Sequence, residues 1–160
     1  DAYVTKVEEF ELNPDIPQIL EYIKSNDYLL ILVTNQQGVS KGLMTQTQLD
    51  KVHDYMQELL LKSSGVCFDE IYYCTDLKSS NSFRRKPNPG MLLEAAENLG
   101  IDNKQSFMIG DTESDIIAGK SAGTKTILIS NENVTTTSDY HLKSLNELMP
   151  LLIKLIEGKL

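Results

Sequence analysis

Positive charge is scarce in this chain. Fifteen lysines and arginines stand against 23 aspartates and glutamates, a formal net charge of −8. That balance argues against a nucleic-acid partner, which needs a clustered basic face. Cysteine is scarce too: Cys67 and Cys74 are too few for a disulfide framework and suit a reducing, cytoplasmic setting. No apolar stretch approaches the ~20 residues of a membrane-spanning helix, and the N-terminus shows no secretory pattern, so no membrane partner is expected. Internal repeats, low-complexity tracts and linkers are missing as well. Residues 1–160 are therefore expected to form one domain, a monomer or weak homo-oligomer.

What is present is ordinary for a globular protein: 41% hydrophobic and 24% charged residues. Helix and strand patterns alternate along the chain. Amphipathic stretches cover residues 16–25, 45–62, 91–99, 116–122 and 145–156, with Thr45 as an N-cap and Leu49, Val52, Met56, Leu59 and Leu60 on one face. Short apolar runs at 28–33, 70–74, 106–109 and 126–129 read as strands, and 140–142 as a last edge strand. The run at 28–33 is apolar throughout, as in a strand covered on both faces. This alternation predicts an α/β fold with a doubly wound parallel sheet in three layers.

Three segments at strand ends carry chemistry. In Met108-Ile-Gly110-Asp111-Thr-Glu-Ser-Asp115 two acids stand four apart, just beyond an apolar run. Carboxylates at the carboxyl end of a parallel sheet suit Mg²⁺, which takes oxygen ligands and shares them with phosphate. Thr34-Asn35-Gln36 follows the 28–33 run, where a hydroxyl and backbone amides can donate to phosphate oxygens. Arg85-Lys86-Pro87-Asn88-Pro89-Gly90 precedes a helix, and its lysine can neutralise a transferring phosphoryl group. Each alone has a plainer reading. Thr34-Asn35 is also ordinary turn chemistry, Lys86 also belongs to a solvated basic loop, and Asp115 is also a first-turn acid favoured by the helix dipole.

Together and in this order, the three segments resemble the second, third and fourth motifs of the haloacid dehalogenase (HAD) superfamily of phosphatases. Thr34-Asn-Gln-Gln-Gly-Val-Ser-Lys-Gly42, Ile71-Tyr-Tyr-Cys74 and Arg85-Lys-Pro-Asn-Pro-Gly-Met-Leu92 are similar to the histidinol-phosphatase and heptose-bisphosphate-phosphatase branch, subclass IIIA. Asp1-Ala-Tyr-Val4 with Phe10 resembles the stretch just after the first motif in that branch. The resemblance implies a Rossmannoid fold and a Mg²⁺-dependent phosphomonoesterase working through an aspartyl-phosphate. It also implies a small phosphorylated metabolite as substrate: a sugar bisphosphate such as D-glycero-D-manno-heptose 1,7-bisphosphate, or histidinol phosphate. By that resemblance Thr34 and Lys86 hold phosphate oxygens, Asp111 binds Mg²⁺ and Asp115 supports the metal site from behind. Asn35, Gln36 and Arg85 are the implied substrate contacts.

Two departures qualify the match. The family's first motif, Asp-x-Asp-Gly-Thr on the central strand, does not occur in these 160 residues. It would supply the nucleophile, the acid/base and a middle strand whose loss would leave backbone groups unpaired. The expectation is a segment upstream of Asp1, with a catalytically dead binding homologue as the alternative. The branch also often carries a zinc loop, Cys-x-His then Cys-x-Cys. Here Cys74 keeps the first position while Asp76, Ser82 and Arg84 occupy the others, which argues against a closed zinc site. His53 and His141 are expected in surface or packing roles. No folded insertion separates the motifs, so a capless phosphatase is implied. A polynucleotide 3′-phosphatase shares the motifs but calls for a basic groove. A response-regulator-like domain explains the alternation but not Lys86 with Asp111.

Overall fold

The alternation resolves, in a computed structural model that describes residues 13–158, into five α-helices and five strands. The chain divides into two compact units, one ending at Ser80 and the next beginning at Asn81. The Asp1–Val4 and Phe10 resemblance lies outside the described residues.

The first unit runs α1 (Ile16–Ser25), β1 (Ile31–Asn35), α2 (Gln46–Ser64) and β2 (Glu70–Cys74). The two strands pair in parallel from Ile31↔Glu70 to Asn35↔Cys74, with α2 as the crossover that parallel neighbours require. A reciprocal cap starts α2: Thr45 Oγ1 accepts from Gln48 N (3.1 Å) and Gln48 Oε1 from Thr45 N (2.8 Å). Asp69 closes the strand entrances. Its carboxylate accepts from Leu30 N at 2.7 Å and from Lys24 Nζ at 3.0 Å, while its own N–H donates to Leu30 O at 2.7 Å. Leu20, Leu30, Met56 and Leu60 form the core, with Ile16, Ile23, Leu32 and Phe68 packed around them. Full burial of a side chain such as Leu60 contributes about 1.5–3 kcal/mol.

The second unit carries α3 (Gly90–Leu99), β3 (Phe107–Gly110), α4 (Glu113–Ser121), β4 (Lys125–Ile129), β5 (Tyr140–Leu142) and α5 (Leu148–Ile156). Its three strands stand in the order β3-β4-β5, all parallel. Thr126, wholly buried in β4, is satisfied by Asp139: its N–H and hydroxyl donate to Asp139 Oδ2 at 2.8 and 3.1 Å. Ile116, Ile127, Leu128 and Leu152 are sealed from solvent. No helix among the described residues is long and apolar enough to cross a membrane.

Several boundaries differ from the sequence expectation. The apolar run at 28–33 becomes strand only at Ile31 and continues through Asn35, so Thr34 and Asn35 lie in the ladder and not in a loop. The helix expected from residue 116 starts at Glu113, because Thr112 caps it. The closing helix starts at Leu148, after a 3₁₀ turn at Leu145–Glu147. On α2, Leu59 is only half-buried while His53 turns inward.

Candidate active site

In the second unit the three residues Lys86, Asp111 and Asp115 come together around the start of α4. The chain leaves β3 at Gly110, and a Cβ there would lie 2.3–2.6 Å from Asp115 Cβ, Oδ2 and Cγ. Only glycine lets Asp115 fold back over the strand end. Its Oδ2 accepts from Asp111 N (3.2 Å), Thr112 N (3.2 Å) and Thr112 Oγ1 (3.0 Å). Thr112 Oγ1 in turn accepts from Asp115 N at 3.4 Å, which completes a reciprocal cap. Asp115 Oδ1 faces Lys86 Nζ at 2.5 Å, and the two side chains are 9% and 10% exposed. Two buried charges so placed need each other, since either alone would face a desolvation cost of several kcal/mol.

Lys86 is delivered by a loop folded on itself. Arg85 N donates to Ser82 O (3.0 Å), Asn88 N to Arg85 O (2.9 Å) and Gly90 N to Phe83 O (2.9 Å). A Cβ on Gly90 would stand 2.4 Å from Phe83 O, so the loop's return onto α3 demands glycine. Arg85 Nη1 donates to Lys86 O at 3.1 Å, while its buried Nε has no acceptor among the described residues. Arg84, where the resembled branch has a cysteine, pairs with Glu94 of α3 at 2.9 Å.

Asp111 differs from Asp115 in kind. It is exposed, and its carboxylate accepts no hydrogen bond among the described residues. Mg²⁺ is usually held by one or two carboxylates, with water and substrate phosphate filling the rest. A free carboxylate at a strand end, beside a second one already committed to backbone amides, fits that pattern. No group of three or more His, Cys, Asp and Glu side chains forms a metal cage among the described residues.

In the first unit Thr34 and Asn35 end β1, opposite Tyr73 and Cys74. The ladder continues one step further, with Gln36 N donating to Cys74 O at 2.7 Å. Gln36 Nε2 turns back to donate to Thr34 Oγ1 at 2.9 Å. Gln37 Oε1 accepts from Lys78 N at 3.3 Å, joining the loop after β1 to the loop after β2. Cys74, buried at the strand end, donates from Sγ to Asp76 Oδ2 at 3.4 Å. His53 is buried beside Tyr73, ring centroids 5.6 Å apart, and that burial lowers its pKa against the opposing charges of Asp50 and Asp54.

Two participants went unrecognised in the sequence. Thr112 is one, although Thr112-x-x-Asp115 is itself a capping pattern that could have been read. Glu113 is the other: its Oε1 accepts from Thr137 N (3.0 Å) and Oγ1 (2.8 Å), which holds its carboxyl below the usual range. Nothing in the sequence links positions 24 residues apart.

A family model described as HAD-hydrolase-like matches residues 83–148. The chain is 39% identical, over 94% of its length and 88% of the relative's, to the D-glycero-β-D-manno-heptose-1,7-bisphosphate 7-phosphatase of Helicobacter pylori. It is 37% identical to the protein of the same name from Pasteurella multocida, over 96% and 89% of the two chains. Among solved structures, a D,D-heptose 1,7-bisphosphate phosphatase from B. bronchiseptica, complexed with magnesium and phosphate, superposes with a TM-score of 0.84. That match has 25% identity and covers 96% of this chain and 90% of the other. A parallel α/β fold, a lysine–aspartate pair beside a free strand-end aspartate, and likeness along nearly the whole length agree: the chain belongs to the HAD-like hydrolases, as a phosphatase on the Rossmannoid fold of that superfamily.

Proposed function

We propose that this protein is a Mg²⁺-dependent phosphatase that removes a phosphate from D-glycero-D-manno-heptose 1,7-bisphosphate, at the 7-position, in the cytoplasm. The observation that carries the proposal is the division of labour at the end of β3: Asp115 is consumed by Lys86 and the helix cap, and Asp111 is left open. The relatives' shared name narrows the substrate. Both cysteines are free thiols, as a reducing compartment favours.

In this reading Asp111 would hold Mg²⁺, which would supply positive charge against the phosphoryl group. Lys86, oriented by Asp115, presents an ammonium to a phosphoryl oxygen. The Thr34 hydroxyl donates to another, and Asn35 contacts substrate beside it. Arg85, whose buried Nε lacks an acceptor among the described residues, meets a phosphate or hydroxyl of the substrate. The attacking aspartate belongs to the family's first motif, and the 160 residues supply what holds the phosphate.

The test is phosphate release by the protein as its gene encodes it, with heptose 1,7-bisphosphate and histidinol phosphate compared in excess Mg²⁺ and in EDTA. The expected result is metal-dependent turnover with kcat/KM for the bisphosphate at least about 100-fold higher, well within the roughly 10⁴–10⁵-fold that unpaired polar groups in a site can impose. Preference for histidinol phosphate, or turnover unaffected by EDTA, would overturn the assignment.

A further inference from the structure

Gln36 lies two residues beyond Thr34, on the same side of an extended chain. Its backbone is pinned by the Cys74 carbonyl at 2.7 Å, and its side-chain amide donates to Thr34 Oγ1 at 2.9 Å. A threonine hydroxyl has one proton to donate and two lone pairs. With an amide N–H on one lone pair, the proton is left to donate elsewhere. Phosphate oxygens at neutral pH chiefly accept, so the hydroxyl is useful to a phosphate only as a donor. Without such a partner, a threonine hydroxyl readily turns to donate to a nearby backbone carbonyl. Donation into Oγ1 also polarises the O–H, by about 10–30% in bond strength.

We propose that Gln36 is a positioning residue that acts through Thr34, fixing its hydroxyl as a donor to the transferring phosphoryl group, and is not itself a substrate contact. This rests on the phosphatase reading of Thr34 given above. It differs from the expectation that Gln36 touches substrate in giving one side-chain N–H, the one that donates to Thr34 Oγ1, a role within the chain.

A double-mutant cycle in the protein as its gene encodes it, with heptose 1,7-bisphosphate as substrate, decides the matter. Thr34→Val is expected to lower kcat roughly 100-fold, the cost of one lost donor to developing charge. Gln36→Met, close in size and without an N–H, is expected to lower kcat roughly tenfold with KM changed less than about threefold. In the Thr34→Val background the same Gln36→Met change is expected to alter kcat less than about twofold, because its only route is gone. A Gln36→Met effect that persists in full beside Thr34→Val would show direct substrate contact and overturn the proposal. A silent Gln36→Met with a damaging Thr34→Val would overturn it while leaving the phosphatase reading intact. A silent Thr34→Val in an active enzyme would remove the phosphate-holding role of Thr34 and the proposal with it. Should Gln36→Met fail to fold, Gln36→Glu serves: a carboxylate can only accept, draws the Thr34 proton to itself, and is expected to bring kcat to the Thr34→Val level. A Gln36→Glu enzyme near wild-type kcat would overturn the proposal.

Discussion

Removing both charges of the Lys86–Asp115 pair should cost less stability than the two single removals added together. Nζ and Oδ1 stand 2.5 Å apart, with side chains only 10% and 9% exposed, so neither charge is well hydrated once its partner goes. Breaking a buried pair from one side costs about 3–5 kcal/mol. Lys86→Met should fall at the lower end, because Asp115 keeps the Asp111 and Thr112 amides and the Thr112 hydroxyl. Asp115→Asn should fall in the same range, because the ammonium then faces a neutral amide where it had a carboxylate at 2.5 Å. For a domain of this size each kcal/mol moves the midpoint by about 2–4 °C, so the single variants should melt roughly 10 °C low. Lys86→Met with Asp115→Asn removes both charges, yet the amide oxygen can still accept from the cap. Its stability should recover by about 2–3 kcal/mol over the sum of the singles. Urea denaturation followed by circular dichroism measures this, with an unchanged m-value as the check that the unfolded state is the same. Activity should stay lost in all three. Single-variant losses that simply add, within about 0.5 kcal/mol, would refute the reasoning.

Gly110→Ala places a methyl 2.3–2.6 Å from Asp115; it should destabilise by about 1–3 kcal/mol and depress kcat more than tenfold, measured by melting and by phosphate release. Asp111→Asn should leave the melting temperature within about 2 °C of wild type, as exposed substitutions do, while Mg²⁺ titration of activity loses its saturation. His53→Phe should flatten the acid side of the stability profile. The native pKa of His53 is lowered by burial, so the unfolded chain takes up a proton first. Stability is full above the ordinary histidine pKa of about 6.5 and is lost as pH falls toward the native value. Melting curves at pH of about 7.5 and about 5.5 should therefore differ less in the variant than in wild type.

The parts of the fold that were legible beforehand are those fixed by local pattern. The run 70–74 became β2 without a shift, and residues 16–25 became α1, because each stretch is bounded by turn-forming residues. Of the boundaries that moved, the start of α4 was set locally by the Thr112 cap, and the end of β1 by a contact between distant residues. Thr34 and Asn35 are polar and read as loop, yet the ladder to Tyr73 and Cys74 makes them strand. Asp111 and Asp115 were legible as a pair, but their spacing does not say which is spent and which is free. That depends on Thr112 and Lys86, the latter 29 positions from Asp115. Glu113's link to Thr137 and His53's burial against Tyr73 had no local signature at all.

The difference between the two aspartates comes from helix geometry. An acid at the third position of a helix points back at the free amides of the first turn. Asp115 holds that position behind Thr112, so its Oδ2 is drawn into the cap whatever the ligand. Asp111 precedes the cap residue, where no amide of α4 can reach its carboxylate, and it is left facing solvent. The fixed acid then attracts the buried ammonium of Lys86, which becomes a charge of set position and not a mobile surface lysine. Stability and phosphate chemistry thus share Gly110, Thr112, Asp115 and Lys86, so variants at these four should lose both together. Asp111 carries no side-chain hydrogen bond among the described residues. Loss of activity without loss of stability should therefore be confined, within this unit, to Asp111 and to groups such as Arg85 Nε that the fold leaves unpaired.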